Sequence, residues 1–314
     1  MSAGRAMDEA VVDRATVRPL AEVAEAEAEA APPRSQRTLR LWLLVLRRPT
    51  SVVSLLIILT VLFLAVPGPF VVPGDPYKTN ILQLLQPPGE AYPLGTDELG
   101  RDLLVRIVHG ARYTLYAGLA AVFIGCLSGT LFGLIAGYFG GRVDFVIMGL
   151  ADVLLSFPYF LLVVVIVAVL GPSLTTAMIA IGVWTAPYYM RVIRANTLEL
   201  KVRPFVEAAV ISGETTFNVL FRHILPNCMS QVLVLSTTYM SQAILMAAAL
   251  SFLGLGAQPP EPEWGAMTAV GREYMFQAPH LLYIPAAFIF VTALAFNFLG
   301  DALRDVFDPR SRDR

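Results

Sequence analysis

Six long runs of apolar residues, almost free of charge, limit what this chain can fold into. They cover residues 51–66, 113–139, 145–170, 174–190, 231–255 and 281–300, with Asp152 as the charged residue inside them. At about 1.5 Å per helical residue, each run is long enough to cross a hydrocarbon core about 30 Å thick, some with tilt. The runs therefore predict an all-α integral membrane protein with six transmembrane helices.

Composition agrees with a membrane domain and excludes several other classes. Hydrophobic residues make up 56% of the chain and charged residues 15%, against about 45–50% and about 25% in soluble domains. The body of the chain is therefore not intrinsically disordered, and one polytopic domain over residues 51–310 explains the length better than two soluble domains. The net charge of −1 gives no basic field that would attract nucleic acid.

Basic residues predict the orientation of the spans in the cell membrane. Five arginines and no acid precede the first run, which marks residues 34–50 as a cytoplasmic flank. Six spans then leave both termini in the cytoplasm. The basic residues of the loop at about 191–230 agree with this orientation, whereas those of the long first external loop do not. Residues 1–33, rich in Ala and Glu, are predicted to be a disordered cytoplasmic tail. Residues 311–314 are predicted to be a short cytoplasmic tail.

A ridge of small residues marks the second run. Gly125, Gly129, Gly133 and Gly137 recur every four residues, which places them on one face of a helix. Another helix can approach closely along such a face. We interpret the ridge as tight helix packing within the chain, with pathway lining or subunit contact as the alternatives.

Two acids lie in or beside the third run. Asp152 is at membrane depth, where an acid is by default a functional candidate. Asp144 precedes it by two helical turns, so both acids fall on nearby faces close to the cytoplasmic start of the span. A structural position at the membrane interface is the alternative for both.

Catalytic and metal-binding patterns are absent from the sequence. Cys126 and Cys228 form no metal-binding motif, and His109, His223 and His280 stand singly. Paired carboxylates and nucleophile–base arrangements are also missing. The chain further lacks the Gly-x-x-x-x-Gly-Lys-Ser/Thr loop that holds phosphates, so we predict neither enzymatic activity nor a bound cofactor.

An external stretch at residues 93–102 predicts a short helix. Turn residues open it, and Thr96 or Asp97 can cap the first turn. Leu99, Leu103 and Ile107 would then share one face. Such a helix would lie along the membrane surface or pack on neighbouring spans.

The loop between the fourth and fifth runs predicts another short helix, over residues 204–213. Pro204 suits its first turn, and Gly213 suits its end. Its predicted outer face combines an aromatic ring with small residues, and Glu207 can accept hydrogen bonds from a partner. The face consists of Phe205, Ala208, Ala209 and Ser212. Alone, so short a helix buries too little surface to be stable, which favours a docking partner over a purely internal loop.

Several ordered motifs between about residues 35 and 310 resemble one transporter family. Glu207-Ala208-Ala209, Gly213 and Ile224-Leu225-Pro226 are similar to the EAA loop of ATP-binding-cassette importer permeases. Four further segments are similar to the C-type permease of dipeptide and oligopeptide importers. These segments are residues 93–102, 222–227, 249–256 and 300–305.

This resemblance implies a type I importer permease fold, in which the 204–213 helix is a cytoplasmic coupling helix. Six helices would form half of a translocation pathway for di- or oligopeptides. The implied partners are a sister permease, one or two ATPase subunits that use ATP and Mg²⁺, an external solute-binding protein and membrane lipid. Pro204, Phe205, Glu207, Ala208, Ala209, Ser212 and Gly213 would carry the coupling, and no substrate-binding residue is assigned.

The sequence departs from the family pattern at two places. Many members have Ala-Arg-Ala between the EAA triplet and its glycine, where this chain has Val210, Ile211 and Ser212. Many also have an acid shortly before the Ala-Leu-Ser-Phe stretch, where this chain has Ala247. The first departure bears on the ATPase surface that is recognised, and the second on selectivity. Nickel and glutathione stay open as substrates within the family, and an ion-driven secondary transporter is the alternative of another class.

Overall fold

A computed structural model describes Leu46 and residues 48–307 of the chain. The predicted tails at 1–33 and 311–314, and most of the 34–50 flank, lie outside the described residues. The described part is nearly all helical and holds no β-strand, although Thr96 and Asp102 form one isolated bridge. This agrees with the all-α fold predicted from the sequence.

Nine helices of eight residues or more make up most of the described chain. They are α1 Pro49–Ala65, α2 Leu103–Phe139, α3 Gly141–Ser156, α4 Tyr159–Leu170, α5 Leu174–Leu200, α6 Pro204–Ile211, α7 Leu225–Phe252, α8 Trp264–Glu273 and α9 His280–Phe307. Shorter turns lie at Gly68–Val71, Ile81–Gln83 and Thr216–Asn218. A π-helical segment, Val219–Ile224, leads directly into α7.

Three described helical segments are long and apolar enough to cross a membrane. They are α2, the continuous stretch Thr216–Phe252 that contains α7, and α9. Helices α3 and α4 together make a fourth if they count as one broken span, and α1 is a shorter apolar helix. The membrane fold is thus confirmed, while the number of six spans stays a prediction.

The structure corrects the predicted start of the second span. The helix begins at Leu103, and Asp102 caps it by accepting a hydrogen bond from the N–H of Leu104 at 2.8 Å. Neither Thr96 nor Asp97 caps a helix. Asp97 instead accepts the N–H of Arg101 and pairs with its guanidinium at 2.6 Å. The predicted short helix at 93–102 is therefore wrong: this stretch forms turns and the isolated bridge, and Leu103 and Ile107 of its predicted face lie in the first turns of α2.

The glycine ridge of α2 packs against α5 within the chain. A Cβ atom added at Gly129 would lie 2.4 Å from the carbonyl oxygen of Ala186, and one at Gly133 would lie 2.7 Å from that of Met190. A Cβ atom added at Gly125 would likewise collide with Thr185, and one added at Gly137 would collide with Thr197. Because these contacts are closer than any side chain allows, the ridge sets the distance between α2 and α5.

The third apolar run is broken rather than continuous. Helix α3 ends at Ser156, α4 begins at Tyr159, and their axes are bent by 94°. Phe157 adopts an extended conformation, and the residue before a proline is biased towards it. Pro158 has no N–H to continue the helix.

Candidate functional site

Helix α6 begins and ends close to where the sequence predicts. Pro204 occupies its first turn, and Arg203 precedes it in an extended conformation. Ser212 closes the helix, and Gly213 follows with a φ of +80°. The N–H of Gly213 donates to the carbonyl of Val210 at 3.0 Å. Glycine adopts this left-handed conformation without steric cost, so it lets the chain leave the helix sharply.

One face of α6 is buried against the rest of the chain. Val206 is 1% exposed and Ala209 is 7% exposed. Val206 belongs to an apolar cluster, which we call the loop core, and which includes residues of α2, α5, the π-helical segment and α7. Its buried members are Leu134, Ile193, Val206, Val219, Leu220, Ile224, Cys228 and Val232. Through Val206, α6 joins an apolar cluster to which three long helices also contribute.

The opposite face of α6 is exposed. Phe205 is 44% exposed and Ile211 is 86% exposed, and Glu207, Ala208 and Ser212 are exposed as well. The prediction that Ala209 shares this face is wrong, because Ala209 packs inward beside Val206. Ala208 therefore leaves room for a partner at the surface, whereas Ala209 leaves room for the loop core.

Glu207 is an exposed acid on this helix. Its neighbours Glu199 and Glu214 have partners, namely Arg203 at 2.5 Å and His223 at 3.1 Å. In the described part of the chain, the Glu207 side chain makes no ion pair or hydrogen bond. A carboxylate in the first turn is favourable with the helix dipole, and its oxygens are free to accept hydrogen bonds from another molecule.

Exposed apolar side chains surround α6. Val202 is 63% exposed and Phe217 is 67% exposed, and the ring of Phe217 lies 4.5 Å from that of Phe221. With Phe205 and Ile211, they give this loop an apolar surface beside the Glu207 carboxylate. Contiguous exposed apolar surface of this kind is typical of protein interaction sites.

Asp152 and Asp144 lie in ion pairs with α5. Asp152 is an exposed partner of Arg191 at 2.6 Å, and Asp144 binds the guanidinium of Arg194, with one contact at 2.5 Å. Both pairs join α3 to the end of α5 that leads into α6. The structure thus places Asp152 at an exposed ion pair, not in a buried site.

Sequence reasoning missed a buried acid next to α8. Glu263 is completely buried. Its carboxyl group accepts hydrogen bonds from the N–H of Ala266 at 2.9 Å and from the hydroxyl of Thr114 at 3.3 Å. Burial raises the pKa of Glu263. The adjacent Trp264 donates its indole N–H to the carbonyl of Ile107 at 3.0 Å. A capping acid directly before Trp264 was a local signal, but its contacts with α2 are distant in sequence.

The described residues contain no group of three or more His, Cys, Asp or Glu side chains that could hold a metal ion. Cys126 and Cys228 are free thiols. The chemistry that the described surface offers at α6 is therefore docking: one free carboxylate, apolar side chains and a small residue for close approach.

The fold is that of an integral membrane protein, and α6 is a short helix with one exposed face. The chain belongs to the family of binding-protein-dependent transport system inner membrane components, whose model matches residues 129–313. Residues 39–88 also match the N-terminal transmembrane domain of oligopeptide transport permease C.

Curated relatives cover most of the chain. A glutathione transport system permease protein of Pectobacterium atrosepticum is 41% identical over 86% of this chain and 90% of its own length. A dipeptide transport system permease protein of Haemophilus influenzae is 40% identical over 86% of this chain and 93% of its own. A di/tripeptide transport system permease protein of Pseudomonas aeruginosa is 44% identical over 83% of this chain and 88% of its own length.

A solved structure supports the fold. An inward-facing conformation of the MetNI methionine ABC transporter superposes with a TM-score of 0.51 at 18% identity, covering 65% of this chain and 97% of that one. The likeness agrees with the type I importer permease fold predicted from the sequence motifs. The protein is therefore a permease component of an ABC importer.

Proposed function

We propose that this chain carries di- or oligopeptides inward as one half of an ATP-driven importer, receiving them from an external binding protein. The observation that carries the proposal is the two-faced helix α6, with its inner face in the loop core and its outer face exposed. The names of the relatives support a peptide substrate, because dipeptides, di- and tripeptides and glutathione are all peptides. Nickel has no such support among these relatives.

In this mechanism, α6 docks on an ATPase subunit and moves with it as a rigid body. Phe205, Ala208 and Ile211 would enter a groove on the ATPase, and Glu207 would accept hydrogen bonds at its edge. Val206 would transmit the movement to α2, α5 and α7 through the loop core. The spans would then repack, so that the pathway opens to the other side of the membrane.

Partner subunits would supply the energy and the second half of the pathway. This chain lacks a phosphate-binding loop, so ATP and Mg²⁺ would be used by one or two separate ATPase subunits. A sister permease would complete the pathway. The loop with α6 and both termini would face the cytoplasm, which the basic residues flanking the spans support.

Uptake by membrane vesicles tests the proposal. Vesicles that hold the complete transporter should accumulate a labelled dipeptide only with ATP and the binding protein. Dissipating proton and sodium gradients should leave the rate unchanged. Uptake that follows an ion gradient and ignores ATP would instead support a secondary transporter. Competition by unlabelled glutathione and by longer peptides then ranks the substrates.

A substitution at Gly213 tests the coupling role of α6. Gly213→Pro cannot reach the φ of +80° and removes the N–H that donates to Val210, so we expect dipeptide uptake to be lost while membrane insertion is kept. Gly213→Asn is the matched control, because asparagine tolerates left-handed backbone and no neighbouring atom lies within 4 Å of the added Cβ. Normal uptake by the proline variant would contradict a coupling role.

A further inference from the structure

The break between α3 and α4 leaves irregular backbone inside an apolar run. Residues 156–159 are all exposed, with Phe157 at 52% and Tyr159 at 54%. No side chain caps the start of α4, and the one side-chain bond at the end of α3 joins the Ser156 hydroxyl to the Val153 carbonyl at 2.7 Å. The carbonyl of Pro158 accepts a hydrogen bond from the N–H of Leu162 at 3.0 Å, whereas the first three N–H groups of α4 have no partner in the described chain.

The break lies deep between the two ends of α5. The ring of Tyr159 is 5.4 Å from that of Trp184, so both residues lie at the same depth. At 1.5 Å per residue, Trp184 is roughly 15 Å along α5 from Leu174 and roughly 10 Å from Arg191. Arg191 and its partner Asp152 mark the charged end of the span. The break thus lies beside the apolar part of α5, roughly 10 Å from its charged end.

A second irregularity occurs at this depth in α5. Pro187 lies inside the helix and has no N–H to reach the carbonyl of Val183. The uncapped start of α4 and the helical donor missing at Pro187 therefore lie at one level along α5. Lipid cannot satisfy such groups, so irregular backbone at this depth is tolerated only where protein or a water-filled cavity covers it.

Five aromatic rings gather around this level, and we call them the aromatic cluster: Tyr159, Trp184, Tyr188, Tyr189 and Tyr239. Successive ring centroids are 5.4 to 6.2 Å apart. The hydroxyl of Tyr189 bonds Ser236 at 3.1 Å. The hydroxyls of Tyr159 and Tyr188 have no hydrogen-bond partner among residues 48–307. Tyr159 is exposed, and Tyr188 is half-buried. Unpaired hydroxyls beside an uncapped break indicate water on this side.

We propose that the break and the aromatic cluster line the translocation pathway, and that Tyr159 and Tyr188 contact the passing peptide. Their hydroxyls would bond its backbone carbonyls and N–H groups, and their ring faces would attract its terminal ammonium. This inference rests on the proposed peptide importer function. Broken spans surround the substrate site in other transporter folds for the same physical reason.

Accessibility to a charged, water-soluble thiol reagent tests the inference in the complete transporter. The background carries Cys126→Ala, and Cys228 is kept because it is completely buried in the loop core. Tyr159→Cys is compared with Val165→Cys, which is 58% exposed and lies about 120° around α4 from Tyr159. We expect the reagent to modify Tyr159→Cys, to block dipeptide uptake there, and to be slowed severalfold by excess dipeptide. Val165→Cys should not react, because it faces lipid.

Two outcomes would overturn the inference. If the background transports dipeptide but Tyr159→Cys does not react, the break is covered by the sister permease. If Tyr159→Cys reacts but excess dipeptide has no effect, the break is wet without contacting substrate. A background that assembles but imports no peptide under ATP would instead contradict the proposed function, and the reaction of Tyr159→Cys would still decide whether the break meets water.

A milder substitution tests the same contact if the Tyr159→Cys protein misfolds. Tyr159→Phe keeps the ring and removes the hydroxyl, so we expect the KM for dipeptide to rise about fivefold, the loss of one ordinary hydrogen bond, with kcat little changed. Tyr116→Phe is the control, since Tyr116 is 60% exposed on α2 and outside the aromatic cluster. Equal KM values for both variants and the parent would remove Tyr159 from the substrate contacts.

Discussion

Val206 is the residue through which α6 is held to the transmembrane helices. It is 1% exposed in the loop core, whereas Val210 on the same helix is 49% exposed. An eight-residue helix has little stability of its own, so packing must hold it. We therefore expect the burial of Val206 in the loop core to determine whether α6 moves together with the transmembrane helices or separately from them.

Shortening Val206 should loosen α6. Val206→Ala removes buried methyl groups at a cost of about 2 kcal/mol, so the detached state of the loop should become about 30-fold more populated. Limited proteolysis of the purified chain in detergent measures that population as the cleavage rate between residues 200 and 218. Val210→Ala, the same change at an exposed position, should alter the rate less than twofold. Equal rates for the two variants would contradict the anchoring role.

Glu263 gives the fold a dependence on pH. Because burial raises its pKa in the folded state, the folded protein holds a proton that the unfolded chain releases above its ordinary pKa. Stability contributed by Glu263 therefore falls as pH rises from about 4.5 towards the raised value. Glu263→Gln keeps the shape without titrating, so its melting temperature relative to the parent should increase with pH across that window. A difference that stays constant with pH would show that Glu263 remains ionised.

Single residues also mark where sequence reasoning stops. Pro204 and Gly213 predict both ends of α6, because their backbone preferences are local. The burial of Ala209 was not predictable from the same pattern, since it depends on how α6 packs against the rest of the folded chain. Glu263 was missed because its partner Thr114 is distant in the chain, and a capping acid looks the same in sequence whether it is buried or exposed.

Among the elements, α2 and α5 show the close helix packing that the glycine pattern predicts. The four-residue spacing indicates a smooth face, and the structure adds that the partner is α5. The break in the third run could be read from the sequence only in part: a proline at 158 is compatible with an interruption, but the 94° angle between α3 and α4 is a feature of the folded chain. Apolar pattern and composition carry no information on such an angle.

Widening α2 should separate it from α5. The Cβ of Gly129→Ala would lie 2.4 Å from the Ala186 carbonyl oxygen, a backbone atom that cannot rotate away, so we expect a loss of about 1–3 kcal/mol. Gly149→Ala in α3 is the matched control, because no atom lies within 4 Å of its Cβ. Removing a helical glycine there should stabilise by about 0.5–1 kcal/mol. Thermal unfolding in detergent measures both, and similar shifts would contradict the packing account.

At the scale of the whole molecule, the described chain has one exposed helix that is joined to the rest by a buried core. The end that the sequence predicts to be external has a different character: Trp264 and Glu263 join α8 to α2, and Asp97, Arg101 and Arg106 form a buried charged network there. Rigid contacts at one end and an exposed helix at the other are what a subunit needs if force enters at α6 and is resisted outside.

Replacing residues 204–213 with a Gly/Ser segment should separate assembly of the membrane part from ATPase docking. The segment removes Phe205, Glu207 and Val206 together, while the glycine ridge between α2 and α5 and the external network stay intact. After gentle solubilisation, the native chain should co-purify with ATPase subunits and a second permease, and the altered chain with the second permease alone. Mass spectrometry identifies each subunit. Retention of the ATPases by the altered chain would move the docking surface away from α6, and their absence from the native complex would remove the basis for an ATP-driven importer.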